Sequence, residues 1–241
     1  MPLRLHHAAA TDVGLQRGHN EDAVLTEPEL GVFVICDGMG GHASGAVASE
    51  LAVTTIAEAL RAQAAAAPEP LVAAILAANR AVFKRSQEDP DCHGMGTTVV
   101  GLRFDETRVH VCHVGDSRIY LLRGGELVPI TRDHSLINLY ADNPELVGKL
   151  GPAHANVIVR AVGLHPVVEV EHKAIPVEPD DTFLLCSDGL IDMTDDWIVR
   201  EMLTSGDELD TLVGNLIRVA NANGGADNVS VILVRVSAAG P

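Results

Sequence analysis

Short runs rich in Val, Ile and Leu recur along the chain, at residues 31–36, 97–104, 108–114, 118–123, 182–186 and 228–236. Each has strand length and is bounded by Gly, Asp or Asn, so each predicts a β-strand. Arg123-Gly124-Gly125-Glu126 has the composition of a hairpin turn and implies antiparallel pairing. Helical stretches lie between the strands. Residues 43–63 form a long stretch free of proline, Pro68 and Pro70 separate it from a second helix at 71–87, and a third at 207–221 stops at Gly224-Gly225. The alanine-rich section 59–78 reads as plain helix packing. Two helices, a run of strands, then a helix and a last strand do not alternate as a doubly wound fold does. The order predicts an α+β domain in layers, with helices covering antiparallel sheets. Residues 136–160 are polar and broken by Pro144 and Pro152, and predict an irregular insert beside the working face.

Composition narrows this picture. The 241 residues, 47% of them hydrophobic, suffice for a substantial core and are read as one domain spanning 1–241. No segment approaches the roughly 18 apolar residues of a membrane span, and the N-terminus lacks the apolar run of a secretory signal. Cys36, Cys92, Cys112 and Cys186 are scattered without framework spacing, which predicts reduced thiols and a cytoplasmic protein. A net charge of −16, from 33 acidic and 17 basic residues, argues against nucleic acid or anionic membrane as partners. Such acidity is ordinarily a solvated surface; the sharper reading is that a subset of carboxylates converges on cations.

The position of the aspartates favours convergence. Three predicted strands run into one: Cys36-Asp37, Val114-Gly115-Asp116 and Cys186-Ser187-Asp188. Asp227 stands just before the last strand, where antiparallel pairing brings a strand's start beside its neighbour's end, and Glu21-Asp22 precedes the first. Any one of them reads readily as a turn or helix cap. Four at equivalent positions read better as a site. Carboxylates crowded within a few ångströms raise one another's pKa unless cations compensate, and Mg²⁺ and Mn²⁺ prefer oxygen ligands.

The flanking residues carry a family resemblance. Thr11-Asp12-Val13-Gly14 with Arg17-Gly18-His19-Asn20-Glu21-Asp22, then Asp37-Gly38-Met39-Gly40-Gly41-His42, Gly94-Met95-Gly96-Thr97-Thr98, Val114-Gly115-Asp116-Ser117-Arg118, Ser187-Asp188-Gly189-Leu190 and Asp227-Asn228-Val229-Ser230 follow in order. Together they resemble the motifs of the type-2C metal-dependent Ser/Thr protein phosphatases in bacterial form, over roughly residues 9–236. The resemblance implies a four-layer α-β-β-α sandwich of two antiparallel sheets flanked by helices, with residues 136–160 as a variable flap. It implies that Asp37 bridges two Mn²⁺ or Mg²⁺ ions, that the Gly38 carbonyl, Asp188 and Asp227 complete one coordination sphere, and that Glu21 serves the second. Asp22 then orients metal-bound water, Arg17 holds the phosphate, and Asp116, Asp188 and Asp192 hold a weaker third ion. The implied reaction is in-line hydrolysis of phosphoserine or phosphothreonine by an activated water. The expected partners are phosphoprotein substrates and an opposing Ser/Thr kinase, and a monomer is expected. Met39 stands where some relatives carry a histidine, so the general acid stays open: His42 either protonates the leaving alkoxide or caps the helix that follows.

Other chemistries compete. Cys112-His113-Val114-Gly115-Asp116-Ser117-Arg118 has the spacing of a cysteine-dependent phosphatase loop. A strand rather than a helix is predicted to follow it, and Asp116 would repel the phosphate. His110, Cys112 and His113 suggest zinc, but residues 110 and 112 share one strand face while 113 points away. A non-enzymatic scaffold would be expected to have lost ligands, and here every expected ligand position is filled.

Overall fold

A computed structural model describes residues 3–40, 44–62, 69–141, 144–148 and 157–238. Two antiparallel sheets face one another. The first is ordered β1 (Leu3–Asp12), β11 (Val229–Ala238), β10 (Thr182–Cys186), β7 (Arg118–Arg123) and β8 (Glu126–Pro129). The second runs β2 (Asp22–Glu27), β3 (Val32–Met39), β5 (Val99–Phe104), β6 (Arg108–Val114) and β9 (Glu171–Pro176), with the two-residue β4 (Gly96–Thr97) against the end of β3. Alternation along each strand sends one set of side chains between the sheets and the other toward helices. On β3, Phe33 and Ile35 join Val100, Leu102, Val111, Phe183, Leu185 and Ile232 between the sheets. Val32, Val34 and Cys36 face outward instead, onto α1 (Ser44–Ala62) and α2 (Pro70–Glu88).

The helix pair is built from small residues at helical spacing. Ala48, Ala52 and Ile56 of α1 meet Leu71, Ala74, Ile75 and Ala78 of α2 in one buried cluster. Pro70 opens α2 in the first turn, where its missing N–H costs nothing. The other outer face carries α5 (Asp188–Ile191), α6 (Asp196–Leu203) and α7 (Leu209–Ala222), whose Leu212, Val213 and Leu216 pack on Leu184, Cys186, Val231 and Leu233. Four layers, helix–sheet–sheet–helix, result as expected. Two short helices, α3 (Leu136–Leu139) and α4 (Pro144–Val147), fall within the expected insert. No described helix is long and apolar enough to cross a membrane.

Several expectations are corrected. The run at 31–36 extends to Met39 as β3, so Asp37 lies within a strand rather than past its end. The run at 97–104 splits at Thr98 into β4 and β5. Strands β1, β2 and β9 and helix α6 were not anticipated, and β8 only through its hairpin turn.

Candidate metal centre

Strand parity explains why Asp37 faces the cleft. It continues the inter-sheet set Phe33, Ile35, Asp37 at the open end of β3 and pairs across to Asp22 at the start of β2, so both carboxylates share that face. From the opposing sheet, β10 ends at Cys186, and Asp188 opens α5 just beyond. The carboxylates that crowd Asp37, from Asp22, Asp188, Asp116 and Asp227, therefore come from both sheets.

Backbone clamps fix each contributor. The Asp37 carbonyl accepts from the Thr98 N–H at 2.8 Å and the Thr97 hydroxyl at 2.9 Å, and the Asp37 N–H donates to Thr98 Oγ1 at 3.1 Å. The same Thr98 hydroxyl meets Ser117 Oγ at 2.7 Å, which ties β3 to the turn bearing Asp116. Glu21 donates its N–H to Asn228 Oδ1 at 2.8 Å and accepts Ser49 Oγ on its carbonyl at 2.6 Å. Asn228 also reaches the carbonyls of Val13 and His19. Asp22 Oδ2 accepts hydroxyls from Ser187 at 2.8 Å and Ser230 at 2.6 Å.

Close backbone approach demands glycine at positions 45 and 189. A Cβ on Gly45 would lie 2.8 Å from Glu21 Oε2 and 2.8 Å from the Gly38 carbonyl oxygen. The first turn of α1 thus packs closely on both the Glu21 carboxylate and the Gly38 carbonyl. A Cβ on Gly189 would meet the Asn228 carbonyl at 2.0 Å, so only glycine lets α5 sit against the start of β11.

Electrostatics describe a site built for cations. Burial, then Asp22, Asp188, Asp116 and Asp227, hold the Asp37 carboxyl well above the usual range. Burial with Asp116 and Asp227 raises Asp188 to about 7. Burial with Asp133 raises Asp116 to about 6, and burial lifts Asp22 to about 6 against the two serine hydrogen bonds. Asp22 Oδ1, Asp116 Oδ1 and Asp188 Oδ1 are buried without any hydrogen-bond partner. Buried polar atoms are rarely left so. Oxygen-only donors of this kind fit hard divalent cations and fit soft ones poorly.

Asp192 closes α5 one turn after Asp188, so the two share a helix face. With Asp116, Arg118, Asp133, Ser135 and Ile191 they line a cavity of roughly 100 Å³. Arg17 is half-exposed, its Nη2 donating to Asp227 Oδ2 at 2.5 Å. His42 lies outside the described residues, as does much of the expected flap between 142 and 156. Several contributors had no role in the sequence reading, among them Ser187, which holds Asp22. Asn228 and Ser230 sit inside a motif already quoted, next to Asp227, while Asp133 reaches the cavity from a loop whose chemistry spacing does not reveal.

The rival sites dissolve. Cys112 is buried in mid-strand β6, its thiol pushed up to about 12 by burial, and Arg118 points to Asp133 in a two-pronged pair at 2.8 and 2.7 Å. His110 bonds to Asp105 and His172, whereas His113 turns to the opposite face and donates to the Arg132 carbonyl.

Comparison with known proteins agrees with this geometry. Residues 16–233 match the family profile described as Protein phosphatase 2C. The chain is 35% identical over 240 residues to the serine/threonine phosphatase stp of Listeria monocytogenes, covering 95% of each chain. It is 36% identical over 243 residues to the serine/threonine protein phosphatase PstP of Mycobacterium tuberculosis, covering 97% of this chain and 45% of that one. Among solved structures, the catalytic domain of PstP in complex with two manganese ions superposes with a TM-score of 0.87 at 37% identity, covering 98% of this chain and all (100%) of that one.

Proposed function

The chain belongs to the protein phosphatase 2C family and is a metal-dependent serine/threonine protein phosphatase, and we propose how its own residues carry that reaction. The observation behind the reading is the convergence of buried, unpartnered carboxylate oxygens from Asp22, Asp116 and Asp188 around Asp37. Asp37, the Gly38 carbonyl, Asp188, Asp227 and Glu21 would hold the two Mn²⁺ or Mg²⁺ ions of a dinuclear centre, and Asp116, Asp188 and Asp192 would hold a weaker third. When bound, the cations supply positive charge at the phosphoryl group and acidify water toward neutral pH.

The remaining roles fall to side chains. Arg17, paired with Asp227, takes two phosphoryl oxygens on its guanidinium fork and turns the phosphoester for in-line attack. Asp22, pinned by Ser187 and Ser230, accepts a hydrogen bond from the attacking water and sets its approach. The leaving alkoxide takes its proton from His42, an assignment that rests on the motif alone. His42→Ala is expected to slow turnover of alkyl phosphates more than of p-nitrophenyl phosphate; equal losses on both remove it from this role.

We read the whole chain as one cytoplasmic catalytic domain acting as a monomer on phosphoproteins and opposing a Ser/Thr kinase. In support stand the span of the family match, the scattered reduced cysteines and the acidic charge. Equilibrium dialysis tests the metal assignment: the wild type is expected to retain two tightly bound Mn²⁺ per chain and Asp37→Asn to lose both. Unchanged stoichiometry in that variant overturns it.

A further inference from the structure

Residues 131–134 form a brace along the β6–β7 turn. Thr131 Oγ1 accepts the Ile119 N–H at 3.0 Å, and the Arg132 carbonyl accepts His113 Nε2–H at 3.0 Å. Asp133 takes Arg118 on both carboxylate oxygens. His134 makes a reciprocal pair with Gly115: its N–H donates to the Gly115 carbonyl at 2.9 Å, and the Gly115 N–H donates to His134 Nδ1 at 3.1 Å. Gly115 precedes Asp116 at φ +108°, and a Cβ there would meet Thr98 Cγ2 at 2.6 Å. The residue that aims Asp116 is therefore held only through its peptide groups.

His134, His113 and Glu171 place one ligand-type atom each within 4.8 Å of one another, which invites a cation. The contacts already made exclude it. The Gly115 N–H takes the lone pair on Nδ1 of His134, and Nε2 lies 3.2 Å from Arg160 Nη1 and 3.5 Å from Glu171 Oε2, so a guanidinium already stands where a cation would bind. His113 carries its proton on Nε2 for the Arg132 carbonyl. Metal-bound histidines turn their other nitrogen to an acceptor, whereas His134 turns it to a donor. Burial, His113 and Arg160 hold the His134 pKa down to about 4, which keeps that lone pair available. Its ring stacks on His113 at 4.4 Å and 14°, and its carbonyl accepts the Val159 N–H at 2.8 Å.

We propose that His134 is a positioning residue: it grips both peptide groups of Gly115 and so directs the Asp116 carboxylate into the cavity shared with Asp188 and Asp192. This rests on the reading of Asp116 as a cation ligand. The test is the Mn²⁺ concentration for half-maximal activity of His134→Ala, His134→Gln and His134→Asn, alone and with Asp116→Asn, alongside thermal unfolding. Ala at 134 loses the acceptor, and Gln carries its amide oxygen one methylene too far out, near the Nε2 position; both are expected to raise that concentration about fivefold, the worth of one hydrogen bond. Asn offers an amide oxygen near the Nδ1 position and is expected to return it to within about twofold of wild type. In the Asp116→Asn background, His134→Ala is expected to add no further shift. A lower melting temperature with unchanged Mn²⁺ dependence overturns the proposal, as does a His134→Ala shift that persists without Asp116. If Asp116→Asn alone leaves Mn²⁺ dependence unchanged, the ligand reading of Asp116 has failed, and the proposal with it. Should His134→Ala not fold, the Asn and Gln pair carries the comparison.

Discussion

Replacing Asp188 with Asn is expected to stabilise the metal-stripped protein while crippling the enzyme. Asp188 is partly buried, with Oδ1 shut off from solvent, beside Asp116, Asp227, Asp192 and Asp22, and its carboxyl is raised from 3.8 to about 7. A folded-state pKa above the unfolded value means that the fold favours the protonated form. That stability is present at low pH and is lost as pH rises through about 7. Each pH unit of that gap is worth about 1.4 kcal/mol, so at pH 8 the charged Asp188 costs up to about 4 kcal/mol. Relief is shared with the neighbouring carboxylates, and Asp188 loses a small helix N-terminal benefit of about 0.3–1 kcal/mol on substitution, which leaves a net gain of about 2–3 kcal/mol. For a chain of this size that raises Tm by about 5–10 °C. Circular dichroism melts in EDTA at pH 8 and pH 6.5 test it. Staying at or above pH 6.5 keeps His113 and His134 out of the comparison, because burial lowers both and their contribution is lost only as pH falls below about 6.5. Wild type is expected to melt higher at pH 6.5 than at pH 8, and the variant to narrow that difference. Mn²⁺ is expected to reverse the order, stabilising wild type more. A variant that melts at or below wild type in EDTA at pH 8 refutes the argument.

Gly45→Ala puts a methyl 2.8 Å from Glu21 Oε2 and from the Gly38 carbonyl oxygen, so one of them must shift; it is expected to lower Tm in EDTA and to need more Mn²⁺ for activity, and an unchanged Mn²⁺ titration contradicts this. Arg17→Ala is expected to raise KM for a phosphopeptide about tenfold or more through loss of a charge-assisted fork, with Arg17→Lys recovering only part; steady-state kinetics decide it. Ser230→Ala removes a 2.6 Å hydrogen bond to buried Asp22 and is expected to cost about 1 kcal/mol, read as a lower melting temperature in EDTA.

The strands legible in the sequence are those buried on both faces. β3, β10 and β11 carry continuous apolar runs, at 32–36, 183–186 and 231–234, because one set of side chains fills the inter-sheet core and the other packs on helices; in β5 and β6 the apolar residues are interrupted but still dominate. The strands not read outright, β1, β2, β8 and β9, are the four sheet edges. There one side lacks a neighbour, so β1 tolerates His6 and His7, and β9 reads Glu171-His172-Lys173 before any aliphatic residue. The aspartates were legible because a carboxylate directly after an apolar run is conspicuous. Their arrangement was not, because pairing between different sheets leaves no trace in spacing. Asp37 was placed one step wrong for a related reason: the strand continues through Gly38 and Met39, whose residue types look like a turn. Ser187, Ser230 and Asp133 act through tertiary contacts from elements more than 40 residues away from Asp22 or close to Asp116 only in space.

The most direct test is phosphate release from a phosphothreonine peptide by chelator-stripped protein, with Mn²⁺ titrated back and an iodoacetamide-treated sample run in parallel. Activity that appears with Mn²⁺, disappears with EDTA and survives alkylation is the expected result, since the carboxylates around Asp37 need cations and Cys112 is buried with its thiol raised to about 12. Activity that survives EDTA but not alkylation would contradict the account and return the chemistry to Cys112.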